Sequence, residues 1–294
     1  MRTTARPAGG SPTSCEPGVP ELPEVETIRR QLAVEVTGSR LGPAWAFASP
    51  KFTPALAASG ARIADVRRRG KYLLAGLDDG RELVVHLGMT GSLRVAPPGE
   101  HLALHAAGHG ADPYLRASWA LDDDRTLLFR DIRRFGRLAV VPAGRYEALP
   151  TLHQLGPEPF DDAFTPATLW SAVRGSRARV KTQLLSQRPV AGVGNIYADE
   201  ALWRAGVFPA ARTLTRPQAE RLHGALRDVL AAALERRGTT LRDYRGVDGN
   251  PGDNQHHLDC YGRAGQACRR CDAVLVSRVW DGRTATFCTI CQKR

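Results

Sequence analysis

The chain has 294 residues, of which 43% are hydrophobic, so it is long enough for one large domain or two smaller ones that each bury a core. Its sequence has no run of about 18 apolar residues, which argues against a membrane-spanning helix. Lysine and arginine outnumber aspartate and glutamate by 41 to 30, a net charge of +11. This excess favours a polyanionic partner such as nucleic acid over a merely basic, soluble surface.

The first 19 residues are dominated by Thr, Ser, Pro, Ala and Gly and predict a disordered extension, because such a segment buries little apolar surface. They lack the apolar region of a secretory signal. A helix is predicted next, from Glu24 to about Val36, because Val25, Ile28 and Leu32 recur at helical spacing before Val36.

Short β-branched or leucine-rich runs follow, separated by glycine- and aspartate-rich turns, and they predict a β-sandwich or barrel. These runs are Arg62–Val66, Tyr72–Leu77, Glu82–Leu87, Ser118–Leu121 and Thr126–Arg130. We expect an N-terminal domain over residues 20–142 and a glycine- and proline-containing linker over 143–159. Helical patterns then recur near 165–174, 180–187, 194–205 and 215–237. The predicted class is α+β, with a helical domain over 160–258 that ends in a long polar loop, and a small cysteine hairpin over 259–294.

Four of the six cysteines follow the pattern C-x2-C-x16-C-x2-C, formed by Cys268, Cys271, Cys288 and Cys291. This spacing is typical of metal ligands, and four thiolates predict one closed, structural Zn²⁺ site. Cys15 and Cys260 have no evident partner. The small number of cysteines argues against a disulfide scaffold and favours a reducing, cytoplasmic setting.

The opening of the predicted folded region, PELPEVET at residues 20–27, resembles the start of the bacterial formamidopyrimidine-DNA glycosylases. The cysteine hairpin resembles the zinc hairpin that closes the same proteins, and the resemblance runs with gaps from Pro20 to Lys293. It implies a monomeric, bifunctional DNA glycosylase and AP lyase. Such an enzyme excises oxidised purines, for example 8-oxoguanine and formamidopyrimidines, from double-stranded DNA. The domain over 160–258 would then be a helix–two-turn–helix domain with a lesion-capping loop.

In that family the proline is the first residue, and its amine is the nucleophile. A terminal proline is a secondary amine that forms an iminium with a sugar carbon, whereas a peptide-bonded proline nitrogen lacks a nucleophilic lone pair. Nineteen residues precede Pro20 here. Because Val19 is encoded by a codon type that includes the bacterial initiator GTG, we expect translation to begin at position 19, or proteolysis to expose Pro20.

The resemblance also implies roles for four charged residues. Glu21 would protonate the departing nucleoside, a task that needs a carboxyl group with a suitable pKa, and Glu24 would orient the amine. Lys71 matches a lysine that contacts phosphate and the lesion. Arg283, near the predicted tip of the zinc hairpin, matches an arginine that reaches phosphates and takes part in elimination.

The family flips the damaged nucleotide out of the duplex and fills the space with side chains. Met89, on a glycine-flanked turn within residues 86–94, matches the void-filling residue. Arg133 and Phe135 match the guanidinium that faces the orphaned cytosine and an aromatic wedge.

The segment from Lys181 to Leu202 resembles the helix–two-turn–helix motif, in which glycine turns and a helix N-terminus favour phosphate. Lys181 and Asn195 would hold phosphates, with Arg177 as a weaker candidate. Tyr261 and Arg263, just before the hairpin, are further candidates for phosphate contact.

The sequence departs from the family pattern in three places. The loop over 249–258 lacks the aromatic residue usual there, the long insert over 97–113 leaves the family's DNA-contacting histidine unplaced, and Cys260 stands where relatives usually have valine. One alternative is an endonuclease VIII-type enzyme that prefers oxidised pyrimidines. Another is a non-catalytic DNA-binding homologue whose Pro20 stays blocked. An RNA-binding zinc module leaves Pro20, Glu21 and Met89 unexplained.

Overall fold

The structure is a computed structural model that describes residues 19–98, 112–242 and 244–293. The predicted extension over 1–19 therefore lies outside the described residues except for Val19, as do Cys15 and most of the insert over 97–113. The helices are α1 Leu22–Val36, α2 Pro150–His153, α3 Pro166–Arg174, α4 Val180–Leu185, α5 Asn195–Ala205 and α6 Arg216–Glu235, with 3-10 helices at Thr53–Ala58 and Asn254–His257. The strands are β1 Leu41–Ala46, β2 Ile63–Arg69, β3 Tyr72–Leu77, β4 Arg81–His86, β5 Gly91–Ala96, β6 Leu115–Leu121, β7 Thr126–Asp131, β8 Arg137–Pro142, β9 Val276–Trp280 and β10 Arg283–Phe287.

The N-terminal half is a β-sandwich of two antiparallel sheets, with strand orders β1-β6-β7-β5 and β2-β3-β4-β8 within the described residues. Each of the five predicted strands overlaps a strand of this sandwich. Strand β3 is buried along its whole length because both of its faces are covered. Leu73 and Ala75 enter the core of the sandwich, whereas Tyr72 and Leu74 pack with Leu152 of α2. The segment 143–159, predicted as a linker, therefore contributes a helical turn that covers the outer face of this sheet.

Helix α1 lies at the junction of the two halves. Its predicted apolar stripe, Val25, Ile28, Leu32 and Val36, packs into the sandwich core. Leu22, at the start of the helix, packs instead into the core of the helical half. The first turn of α1 is thus held from both sides, and this turn carries the candidate catalytic carboxylates.

The helical half is organised around α5 and α6, which meet along their length. Leu222, Leu226 and Leu230 of α6 recur at helical spacing and are fully buried in this core. Helix α5 ends at Gly206, whose left-handed backbone (φ 68°) closes the helix at its C-terminus.

The cysteine hairpin, β9–β10, is tied to α5 by buried carboxylates. Glu200 accepts hydrogen bonds from the backbone N–H groups of Asp259, Cys260 and Tyr261 at 2.7–2.9 Å. Asp199 accepts another from the N–H of Thr286 at 2.9 Å. The predicted α+β class, with a β-sandwich, a helical domain and a terminal cysteine hairpin, is confirmed. Among the described helices, none is long and apolar enough to cross a membrane.

Candidate functional site

A cavity of about 670 Å³ opens where the sandwich, the helical half and the cysteine hairpin meet. Eight of the residues that the sequence singled out line it, namely Glu21, Lys71, Met89, Arg133, Phe135, Asn195, Tyr261 and Arg283. These side chains come from positions spread over more than 250 residues of sequence. The cavity is therefore the candidate active site.

Glu21 occupies the N-terminus of α5. Its carboxylate accepts hydrogen bonds from the backbone N–H groups of Gly194 at 2.7 Å, Ile196 at 2.8 Å and Tyr197 at 3.3 Å. The first N–H groups of a helix have no partner within it and carry partial positive charge, so a carboxylate there is stabilised. This carboxylate therefore links the first turn of α1 directly to α5.

Gly194 permits the close approach of Glu21 and Lys71. A Cβ atom added at this position would lie 2.4 Å from Cδ of Glu21 and 2.5 Å from Nζ of Lys71. Its backbone has φ −125°, which other residues also adopt, so the requirement for glycine is one of space. The absence of a side chain at Gly194 thus leaves the space that the Glu21 carboxylate and the Lys71 ammonium both occupy.

Burial shifts the pKa values of the charged groups at the cavity floor. Burial raises the pKa of Glu21, although the charge of Lys71 and the three peptide N–H groups oppose the shift. Burial, together with the charge of Glu21, raises the pKa of Glu24 to about 7. Burial lowers the pKa of Lys71, against the attraction of both glutamates. Two carboxyls that hold protons more tightly than usual, beside an amine that holds one less tightly, suit proton transfer near neutral pH.

Glu24 is held by partners from three segments of the chain. Its carboxylate accepts the Tyr197 hydroxyl at 2.5 Å and the N–H groups of Thr239 at 2.6 Å and Glu21 at 2.9 Å. The Thr239 hydroxyl in turn accepts a hydrogen bond from the Asn254 side-chain amide at 2.9 Å. Because Thr239 and Asn254 belong to the loop over 238–258, this loop is anchored to the second carboxylate of the site.

Pro20 is buried next to these carboxylates. Pro20 and Glu24 line a small cavity beside the main one, and Val19 lines both cavities. The Pro20 nitrogen is bonded to Val19 in this sequence. A chain that begins at Pro20 would have its secondary amine at the small cavity that Glu24 also lines.

The three predicted probing residues lie together at the rim of the cavity. The Arg133 guanidinium lies 5.0 Å from the centre of the Phe135 ring, and 49% of Phe135 is exposed. Thr90, next to Met89, donates to Asp131 at 2.5 Å and accepts from the Arg133 N–H at 2.9 Å. These bonds join the turn that carries Met89 to the turn that carries the other two residues.

His86 is a lining residue that the sequence analysis did not assign. Its ring lies 4.7 Å from that of Tyr72, and its Nδ1 accepts the N–H of Gly88 at 3.2 Å. Burial, followed by the charges of Lys71 and Arg137, lowers the pKa of His86 to about 4, so the ring is neutral and carries one N–H. Its position at the end of a predicted strand, just before a glycine turn, could have identified it from the sequence as a site residue.

Three predicted phosphate contacts lie outside the cavity lining. The Lys181 ammonium is buried against Asp199 at 2.6 Å and donates to the Thr284 carbonyl at 2.6 Å, a placement at odds with direct phosphate contact. Arg263 donates to the Asp259 carbonyl at 2.6 Å and to the Ala267 carbonyl at 3.1 Å, so it braces the entry to the hairpin. Arg177 is exposed on the approach to α4.

The four cysteines of the hairpin form a candidate metal centre. Their Sγ atoms all lie within 4.8 Å of one another, with separations of 3.3 Å for Cys271 and Cys291 and 4.0 Å for Cys268 and Cys291. Tetrahedral coordination at ~2.3 Å places sulfur atoms about 3.8 Å apart, so this donor set fits a metal ion. The Trp203 indole N–H donates to Cys268 Sγ at 3.3 Å and would stabilise a thiolate there.

Comparison with known proteins agrees with this arrangement. The family model of the formamidopyrimidine-DNA glycosylase N-terminal domain matches residues 19–138, and that of the H2TH domain of the same enzymes matches residues 155–245. A formamidopyrimidine-DNA glycosylase of Thermus thermophilus is 45% identical over 93% of this chain and 98% of its own length. One from Deinococcus radiodurans is 40% identical over 93% of this chain and 97% of its own.

Solved structures give the same result. The crystal structure of the MutM (Fpg) protein of Thermus thermophilus has a TM-score of 0.84 at 45% identity and covers 93% of this chain and 98% of its own. A Lactococcus lactis Fpg mutant in complex with DNA containing Fapy-dG has a TM-score of 0.81 at 30% identity and covers 94% of this chain and 100% of its own. The chain therefore belongs to the formamidopyrimidine-DNA glycosylase family.

Proposed function

We propose that this protein excises oxidised purines, such as formamidopyrimidines and 8-oxoguanine, from double-stranded DNA and then cleaves the strand at the abasic site. The observation that carries the proposal is the cavity in which Glu21 and Lys71 meet at the N-terminus of α5 below the Met89, Arg133 and Phe135 rim. The net charge of +11 suits a DNA substrate. The names of the relatives agree with this activity.

The chemistry begins with an uncapped Pro20. Its amine passes a proton to Glu24, whose raised pKa makes it a competent acceptor, and the freed lone pair forms a bond to C1′ of the damaged nucleotide. The bond from C1′ to the base breaks, its electron pair leaves with the base, and the base takes a proton from water. The Pro20 nitrogen loses its remaining proton and its lone pair closes a C1′=N iminium as the C1′–O4′ bond breaks, while Glu21 donates the proton that O4′ takes up. The iminium then acidifies the C2′ proton, so β-elimination followed by δ-elimination releases the flanking phosphates.

The remaining lining residues bind and orient the DNA. Met89 and Phe135 occupy the space left by the flipped nucleotide, and Arg133 faces the unpaired base. Asn195, Tyr261 and Arg283 contact the phosphates beside the lesion. Lys71, whose ammonium is already desolvated, contacts phosphate and the damaged base.

We further propose that the metal is Zn²⁺, held by Cys268, Cys271, Cys288 and Cys291. With all four positions taken by protein thiolates, a bound ion would cross-link the base of the hairpin and would offer no open site for catalysis. Its part in the reaction is to keep β9–β10 folded, with Arg283 at the edge of the cavity. We propose a monomer, since one chain supplies every group that this mechanism uses.

Two forms of the protein test the proposal, one that starts at Met1 and one that starts at Pro20. We expect the Pro20 form to excise the lesion and to give a covalent adduct at Pro20 when borohydride reduces its complex with abasic DNA. We expect the Met1 form, while it keeps its leader, to bind DNA without forming an adduct. Full excision activity by a protein whose leader is intact in mass spectra would refute the proline mechanism.

A panel of lesions separates the related enzyme classes. Purine lesions opposite cytosine should be excised faster than oxidised pyrimidines. The reverse preference would assign the chain to the endonuclease VIII type. If the form that starts at Pro20 binds duplexes with either kind of lesion but excises neither, the chain belongs to the non-catalytic DNA-binding class.

A further inference from the structure

The hairpin β9–β10 carries a second basic site beyond the catalytic cavity. Opposed residues of an antiparallel pair lie on the same face, and Arg283 is opposite Trp280, whereas Ala285 is opposite Arg278. Arg278, Trp280 and Arg283 therefore share one face of the hairpin. Arg283 is at the edge of the catalytic cavity, and Arg278 lies diagonally across the hairpin from it, opposite Ala285, at about 7–8 Å.

Three cavities follow this face in sequence. The catalytic cavity shares Leu185 and Arg283 with a groove of about 330 Å³ between α4 and the hairpin. That groove shares Arg179 and Trp280 with an outer groove of about 500 Å³. The three cavities thus form a continuous track that leads away from the site of chemistry.

The outer groove is basic. Arg179, Arg212 and Arg278 line it, and no carboxylate is among the described residues that do so. Arg179 is paired with Asp281 at 2.7 Å, and Arg212 donates to the Arg177 carbonyl at 2.8 Å. Arg212 and Arg278 are exposed, and neither has a carboxylate partner in the described ion pairs. Two exposed guanidinium groups without an ion pair of their own therefore face the solvent in a concave surface, although Asp281 lies close enough to Arg212 for their charges to interact.

The floor of the groove is rigid. The Trp280 ring stacks on Phe287 at 5.4 Å and meets Phe208 edge-on at 5.6 Å. Asp281, at the hairpin tip, also accepts the Thr182 hydroxyl at 2.5 Å, which fixes the tip to α4. A preorganised surface loses little entropy when it binds a partner.

We propose that this outer groove, formed by Arg179, Arg212 and Arg278 over Trp280, binds the phosphodiester backbone of DNA on one side of the lesion. The proposal rests on the proposed function, because it assumes that the lesion occupies the catalytic cavity. Because phosphates are closely spaced along a duplex, Arg278 can contact a phosphate beyond the one at Arg283. The contact carries no sequence information and extends the bound length of DNA.

The test is the double variant Arg212→Ala with Arg278→Ala, and its control is Arg145→Ala, an exposed arginine with a side chain 70% accessible on the sandwich side. The affinity for a duplex with a stable abasic-site analogue is measured over a range of salt concentrations. We expect the double variant to bind about tenfold more weakly at low salt. Its slope of log K against log salt should be smaller by about 1–2 units, since each phosphate that the protein neutralises contributes about 0.9 to that slope. The control should keep both values.

Duplexes shortened on one side of the lesion locate the contact. Shortening one flank should abolish the difference between the double variant and the parent protein, and shortening the other should preserve it. The double variant Arg212→Lys with Arg278→Lys should restore the salt slope. An unchanged slope in the alanine variant, an equal weakening in the control, or an equal response to both truncations would overturn the proposal. Binding to the analogue needs no chemistry, so a failure of the proposed function would be seen separately, as a lack of excision by the parent protein.

Discussion

Gly194→Ala tests whether the position of the Glu21 carboxylate at the start of α5 is needed for catalysis. The new Cβ would lie 2.4 Å from Cδ of Glu21, whereas ordinary contacts begin near 3.4 Å, so the carboxylate must retreat by about 1 Å. Its hydrogen bonds to the N–H groups of Gly194 and Ile196, now 2.7 and 2.8 Å, would lengthen to about 3.7 Å and break.

We expect effects of similar size on catalysis and on folding, so both are measured. Overpacking of this kind costs about 1–3 kcal/mol of unfolding free energy. A displacement of about 1 Å within a catalytic group costs about a hundredfold in rate, equivalent to about 2.7 kcal/mol. The assay is single-turnover excision of a purine lesion by the form that starts at Pro20, with thermal unfolding measured in parallel.

The matched control is Gly224→Ala. Gly224 lies within α6, and a Cβ there would meet nothing within 4 Å. This change should leave excision unaltered and raise the unfolding free energy by up to about 1 kcal/mol, because alanine favours a helix over glycine. The reasoning is refuted if the Gly194→Ala protein is folded and excises within about threefold of the parent rate.

Four further outcomes are expected. Met89→Ala should slow lesion excision about tenfold while cleavage of a preformed abasic site is retained, and equal slowing in both assays would contradict the wedge role. Arg283→Ala should lower the slope of log K against log salt by about 1, and an unchanged slope would count against a phosphate contact. Cys288→Ser should abolish stoichiometric zinc in the purified protein and lower its melting temperature, and retention of the metal would exclude this ligand set. Burial raises the pKa of Glu24 from 4.5 to about 7 on folding, so its contribution to unfolding free energy is full below pH 4.5 and falls by about 3 kcal/mol towards pH 7. Glu24→Gln should flatten that decline in denaturant titrations at several pH values, and an equally steep decline in the variant would contradict the assignment.

Much of the fold followed from local patterns in the sequence. The helix predicted over 215–237 is α6, Arg216–Glu235, because its leucines recur at helical spacing and face one core. Strand β1 was not predicted, since Gly42 and Pro43 interrupt it and such residues are typical of loops. Strand β5 was not predicted either, because its first residues belong to the segment 86–94, which was interpreted only as a void-filling loop.

The sequence predicted which residues line the site better than it predicted the hydrogen bonds and ion pairs that they form. Family motifs brought eight lining residues together, but no local pattern indicates that Glu21 accepts hydrogen bonds from residues 173 to 176 positions away. The sequence also marked Lys181 only as a positive charge near a phosphate-binding turn. Its burial against Asp199 depends on the packing of α4, α5 and the hairpin, which appears only in three dimensions.

The position of Glu21 limits how the two halves of the molecule can move when DNA enters. The carboxylate that we propose as the acid of the reaction also fastens α1 to α5, and the N–H of Leu22 donates a further hydrogen bond to the Gly192 carbonyl at 3.0 Å. A rotation of the halves about this point would keep the acid in place, whereas a separation would withdraw it from its peptide donors. The pivot of any clamp-like closure on the duplex should therefore lie at Glu21. The two halves could then open while this carboxylate keeps its hydrogen bonds to α5.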